Sequence, residues 1–88
     1  MEILLDGNII KSKEELFITL KNQINSDIFY GNNLDSLWDV LSGNTKNVII
    51  TIKNKMELDN NLKEYSKKLL NLFDDLKVNN KNVTIITK

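Results

Sequence analysis

The chain has 88 residues, which is the size of one small domain. Hydrophobic residues make up 41% and charged residues 27% of it, so the composition excludes a disordered tail and a membrane protein and predicts a packed, soluble core. There is no cysteine and no histidine, which excludes disulfides and the usual zinc sites, and we expect no metal ion or other cofactor.

The charges are unevenly distributed although the formal net charge is zero. Every basic residue is a lysine, and none lies between Lys21 and Lys46, whereas three aspartates fall inside that interval. The sequence therefore predicts one acidic face, and it argues against direct nucleic-acid binding, which needs a basic surface. The amino terminus lacks the basic and long apolar regions of a signal peptide, so we expect a cytoplasmic protein.

The first part of the chain predicts a strand and then a helix. The apolar run 3–5 is followed by Asp6 and Gly7, which is typical of a strand that ends in a turn. Ser12 and Glu15 form a capping-box pattern, and the apolar residues after them recur at helical spacing. We expect this helix over about 13–24.

A second, shorter helix is predicted over about 34–42. Asn33 is a good N-cap, Asp35 falls in the first turn where the helix dipole favours a negative charge, and Gly43 stands where a C′ glycine belongs. Three leucines share the side of this helix that should face the core: Leu34, Leu37 and Leu41.

The rest of the chain predicts two strands, 48–52 and 83–87, on either side of a helical region at about 56–78. The β-branched run 48–52 is typical of a strand covered on both faces of a parallel sheet. The helical region is either one helix or two separated near 59–61. The fold class is therefore α/β, with a three-stranded parallel sheet and three or four helices packed against it, in a single domain over residues 1–88.

The solvent side of the helix at 34–42 carries two aspartates, Asp35 and Asp39, four residues apart, and Trp38 lies at the border with the core side. Like charges at this spacing repel by a few tenths of a kcal/mol, so helix stability does not favour the pair. The aspartates are either ordinary solvated charges or part of a contact surface, to which an exposed Trp38 would belong.

The segment from Tyr30 to Gly43, YGNNLDSLWDVLSG, resembles the signature of the barstar family, the intracellular inhibitors of the ribonuclease barnase. The resemblance extends in looser form over the whole length. It implies a barstar-like fold and a bacterial ribonuclease inhibitor, an antitoxin or immunity protein, which occludes the active site of a small, basic, extracellular-type ribonuclease in a 1:1 complex. It also implies a protein that is monomeric when free, is not an enzyme, and binds neither nucleic acid nor membrane.

The resemblance also implies which residues contact the nuclease. Asp39 corresponds to the acid that enters the nuclease active site in place of a substrate phosphate, and Asp35 to its neighbour. The other implied contact residues lie in the preceding loop, on the helix and its end, and on the last long helix: Phe29, Gly31, Asn33, Trp38, Ser42, Gly43, Asn44 and Asp75. Three of them depart from the family pattern: Phe29 replaces a tyrosine, Asn44 a tryptophan and Asp75 a glutamate.

Two other functions compete with inhibition of a ribonuclease. The first is an immunity or regulatory module of the same fold that binds a different toxin or a non-nuclease partner, which the departures at Phe29 and Asn44 favour. The second is an enzyme that uses Asp35 and Asp39 as an acid–base or metal-binding pair, but no histidine, cysteine, phosphate-binding glycine loop or nucleophile accompanies them. The sequence therefore favours the inhibitor.

Overall fold

The fold is a three-stranded parallel sheet with four helices, in a computed structural model that describes residues 1–24, 29–43 and 47–88. The elements follow one another as β1 (Glu2–Asp6), α1 (Lys13–Gln23), α2 (Leu34–Ser42), β2 (Val48–Lys53), α3 (Lys55–Leu62), α4 (Glu64–Asn79) and β3 (Val83–Thr87). Strand β2 lies between β1 and β3 and pairs with both in parallel. The predicted α/β class and sheet are confirmed. Within the described ranges, no helix is long and apolar enough to span a membrane.

The sheet buries one face deeply along β1 and β2 and the other face only in part. On the buried face, five strand residues are at most 1% exposed: Ile3, Leu5, Val48, Ile50 and Ile52. On the opposite face Leu4 is 46% exposed and Ile86 38%, and between them Ile49 and Thr51 of β2 are half-buried. The prediction that the strand at 48–52 is covered on both faces is therefore wrong, because that side of the sheet is partly open to solvent.

Helix α1 begins where the capping pattern predicts and holds the outer edge of β1. The Ser12 hydroxyl accepts a hydrogen bond from the Glu15 backbone N–H at 3.1 Å. At the other end of the helix, the Gln23 side-chain amide accepts from the Leu4 N–H (2.6 Å) and donates to the Leu4 carbonyl (2.8 Å). One amide thus supplies the donor and the acceptor that a neighbouring strand would supply at this edge.

The helical region after β2 consists of two helices, and the break lies at Lys63 rather than near 59–61. The backbone of Lys63 has φ 55° and ψ −126°, a conformation that favours glycine. Asp59 stabilises the reversal, since its carbonyl accepts from the Lys63 N–H at 2.8 Å and its Oδ1 accepts from the Ser66 hydroxyl at 2.5 Å. These contacts fix where α4 begins, and α4 in turn provides one side of the candidate site.

Replacement of Lys63 by glycine is expected to stabilise the protein. Relief of the positive-φ strain, worth ~1–3 kcal/mol, exceeds the ~0.5–1 kcal/mol by which glycine's extra freedom favours the unfolded chain. We therefore expect Lys63→Gly to raise the free energy of unfolding by about 1 kcal/mol in urea titrations. Lys63→Ala, which keeps a Cβ, is the control and should change it little. A Lys63→Gly variant less stable than the wild type would contradict this account of the junction.

Asp59 should make stability depend on pH in the acid range. Hydrogen bonds from the Lys55 ammonium (2.8 Å) and then the Ser66 hydroxyl hold the pKa of Asp59 below its ordinary value of 3.8. As the pH falls, Asp59 is protonated in the unfolded chain before it is protonated in the folded one. The contribution of Asp59 to folding stability is therefore complete above about pH 5 and is lost as the pH drops through the lowered pKa. The free energy of unfolding of Asp59→Asn should therefore differ most from that of the wild type near pH 6 and least near pH 2. An equal difference at both pH values, measured by urea unfolding, would refute this.

Candidate functional site

Helix α2 spans the predicted residues and has a fixed orientation. The Asn33 side-chain oxygen accepts a hydrogen bond from the Ser36 N–H at 2.8 Å, so Asn33 is the N-cap, as expected. Three side chains of α2 are buried in the core: Leu37, Val40 and Leu41. Packing therefore determines which face of α2 points to solvent.

The exposed face of α2 carries Asp35 and Asp39, one helical turn apart. No ion pair involves either carboxylate in the part of the chain that the structure describes. The helix itself contains no basic residue. A partner approaching this face would meet two negative charges on a rigid support.

A groove of about 390 Å³ lies between α2 and α4, and we call it the α2–α4 groove. Its lining combines partly buried apolar side chains with polar ones from both helices: Leu34, Asp35, Trp38, Lys68, Asn71, Leu72 and Asp75. The structure thus brings Asp75 to the same groove as Asp35 and Trp38, although they are distant in sequence. An apolar base beside two carboxylates suits a side chain with an apolar stem and a cationic end.

The loop before α2 presents Tyr30 rather than Phe29. Phe29 is only 7% exposed, and its ring stands edge-on to Phe17 with the ring centroids 6.4 Å apart. The Lys21 ammonium lies 5.3 Å from the Phe29 ring centroid and donates a hydrogen bond to the Tyr30 carbonyl at 3.2 Å. Tyr30 itself is 81% exposed. Phe29 therefore offers a partner little surface, whereas Tyr30 offers a whole ring that the sequence reasoning did not single out.

The two glycines of the predicted site lie at opposite ends of α2. A Cβ on Gly31 would clash with the Ser36 hydroxyl and the Asn33 amide, so a glycine lets the loop pass close to the start of the helix. Gly43 is exposed beside the exposed Ser42 and has φ −82°, an ordinary right-handed conformation. The helix ends at the predicted residue, but the left-handed C′ cap expected of Gly43 is not formed. Its N–H instead donates to the Asp39 carbonyl at 3.3 Å, which continues the right-handed turn.

Not every predicted contact residue can be placed. Asn44 lies outside the described residues. Within the ranges that are described, no group of three or more histidine, cysteine or acidic residues could hold a metal ion.

The sequence reasoning also missed Lys68, Asn71 and Leu72, whose spacing from Asp75 puts all four on one side of α4. The sequence shows that these four residues share one side of a helix, but it does not show that α2 lies beside that side.

Comparisons with known proteins point to one family. The family model described as "Barstar (barnase inhibitor)" matches residues 1–87. The Bacillus subtilis (strain 168) protein named "Putative ribonuclease inhibitor YrdF" is 40% identical over 42 residues. That match covers 48% of this chain and 46% of the relative, so it spans less than half of the relative's length.

Loss of the Asn33 cap should destabilise the protein. Asn33→Ala leaves the Ser36 N–H without its side-chain acceptor and is expected to lower the free energy of unfolding by about 1 kcal/mol in urea titrations. Asn33→Ser keeps an acceptor at the same position and should lose much less. Equal losses in the two variants would show that Asn33 does not act through capping.

Proposed function

This chain belongs to the barstar family, and from that premise we propose that it inhibits a small basic ribonuclease of the barnase type by occluding its active site in a 1:1 complex. The observation that carries the proposal is the position of Asp35 and Asp39 on the exposed face of α2, whose opposite face is buried. Within the described ranges, neither carboxylate forms an ion pair. Members of the family are inhibitors, not enzymes, and we assign no catalytic residue to this chain.

The chemistry of the target explains the use of carboxylates. A ribonuclease must hold a polyanionic substrate, so its cleft is lined with basic groups that pair with phosphate oxygens. A carboxylate on a folded surface satisfies the same groups but offers no bond to cleave. We assign Asp39 to the position of a substrate phosphate in the nuclease cleft, with Asp35 pairing with basic groups next to it.

The α2–α4 groove extends this contact away from the cleft. A lysine or arginine beside the nuclease active site would lay its stem on Trp38 and bring its charge near Asp35 and Asp75. The remaining contacts that we propose are Gly31, Asn33, Ser42 and Gly43, to which we add Tyr30. Asn44 remains a contact predicted from the sequence, and Phe29 supports the loop from the core side.

Rigidity and charge both favour tight, fast association. The aspartates sit on a helix capped by Asn33 and packed through buried side chains, so little conformational entropy is lost on binding. Complementary charge raises the association rate and makes it sensitive to salt, an effect for which the barnase–barstar pair is itself a standard example. Because such an inhibitor protects the cell that makes the ribonuclease, we infer a bacterial immunity protein that acts in the cytoplasm.

A second candidate is a module of the same fold that binds a different toxin or a non-nuclease partner through the same acidic surface. The burial of Phe29 and the asparagine at position 44 favour it, since both reduce the aromatic contact expected against barnase. Affinity capture from an extract of the protein's own source, with this protein as bait, separates the two candidates. Capture of a small basic ribonuclease supports the inhibitor. Capture of a protein that binds the acidic surface but has no nuclease activity supports the module.

Inhibition should depend most on Asp39. In a fluorogenic RNA-cleavage assay with barnase, the wild type should inhibit stoichiometrically, and Asp39→Ala should weaken inhibition by more than about 30-fold, the equivalent of about 2 kcal/mol for an interface hot spot. Asp35→Ala should rank second. Asp74→Ala is the matched control, because Asp74 is also an exposed aspartate but lies outside the groove lining. Equal effects of Asp39→Ala and Asp74→Ala would contradict the assigned surface.

A further inference from the structure

Lys68 is the one basic side chain in the lining of the α2–α4 groove as the described residues form it. It is exposed, and none of the ion pairs within the described ranges involves it. Two other lysines of the same helical region are paired: Lys55 with Asp59 at 2.8 Å and Lys67 with Glu64 at 3.5 Å. Lys68 thus places an uncompensated positive charge in a groove otherwise flanked by carboxylates.

The position of Lys68 on α4 directs its charge toward whatever enters the groove. Lys68 and Asp75 are seven residues apart, so they lie on the same side of the helix and about 10 Å apart along its axis. Lys68 and Asp75 form no ion pair with each other across this separation. The neighbouring Lys67 is rotated by about 100° around the helix and does not line the groove.

We propose that Lys68 is a specificity-determining residue of the inhibitory surface, which weakens the binding of ribonucleases that present only basic groups to the α2–α4 groove. This inference rests on the proposed function. A cationic side chain drawn into the groove by Asp35 and Asp75 also meets the Lys68 ammonium, and like charges brought together at an interface oppose association. Without the Lys68 charge, a cation in the groove is attracted by Asp35 and Asp75 and is no longer repelled by Lys68.

The size of the effect follows from the exposure of Lys68. Exposed charge pairs interact by about 0.2–1 kcal/mol, so neutralising Lys68 should tighten binding of a basic partner by up to about 5-fold. Because the interaction is electrostatic and solvent-screened, the gain should appear mainly in the association rate and should shrink as salt is added. A purely structural role for Lys68 would produce neither signature.

The test compares Lys68→Gln with Lys67→Gln, which makes the same change in net charge at the adjacent, non-lining position. Association rates and inhibition constants of the full chain are measured with barnase as the probe, at about 50 mM and about 300 mM salt, where the screening length falls by more than half. We expect Lys68→Gln to bind about 3- to 5-fold more tightly than the wild type at low salt, with a smaller gain at high salt. Lys67→Gln should change binding by less than about 2-fold.

The outcomes separate this inference from the proposed function. Wild-type inhibition of barnase with equal gains in Lys68→Gln and Lys67→Gln would overturn the inference alone, because net charge would then account for the effect. Unchanged or weaker binding by Lys68→Gln would also overturn it alone. Failure of the wild type and both variants to bind barnase would overturn the inhibition of barnase-type ribonucleases and this inference with it.

Discussion

The attachment of helix α2 to the core is the interaction on which the rest of the proposed mechanism depends. Leu37 and Leu41 are fully buried, Val40 is nearly so, and Asn33 closes the first turn with a side-chain hydrogen bond. These contacts leave the helix no freedom to rotate, so Asp35 and Asp39 must face solvent. A loosely attached helix would have to be ordered during binding, and that cost would be subtracted from the affinity.

The acidic surface is a feature that folding does not require. Two aspartates one turn apart repel each other, and neither forms an ion pair within the described ranges. Asp59, by contrast, is engaged by Lys55 and Ser66, which serves the junction between α3 and α4. Asp59 thus stabilises the fold, whereas Asp35 and Asp39 form no ion pair within the described ranges, which is the distribution expected when these two carboxylates bind a partner.

Much of the fold and part of the site could be predicted from local sequence. The cap at Ser12, the bounds of α2 and the three strands follow from capping and periodicity, which are local. Periodicity also predicts a helical region after β2, but it leaves open whether this region is one helix or two. The exact position of the break at Lys63 does not follow from local sequence, because it depends on hydrogen bonds that Asp59 accepts from Lys63 and Ser66 and on a backbone conformation that lysine rarely adopts. Gly43 stands at the position of a C′ glycine, which is usually left-handed, but the backbone there takes a right-handed conformation that the sequence does not indicate.

The composition of the groove could be predicted only in part, for a tertiary reason. Asp35 and Trp38 belong to the recognisable signature, and Asp75 was assigned through the family resemblance. Lys68 lines the groove because α4 lies beside α2, and no local pattern reports which side of one helix another will face. The burial of Phe29 against Phe17 is likewise a tertiary contact, which the local sequence around Phe29 does not indicate.

The central claim is that the exposed face of α2 and the adjoining side of α4 form the contact with a basic ribonuclease. The most direct measurement is the change in backbone amide NMR shifts of the ¹⁵N-labelled protein as unlabelled barnase is added. The account predicts that the largest changes fall within 29–43 and at 68–75. Changes centred instead on the partly open side of the sheet, at Leu4, Thr51 and Ile86, would contradict it, because those residues belong to the sheet and not to α2 or α4.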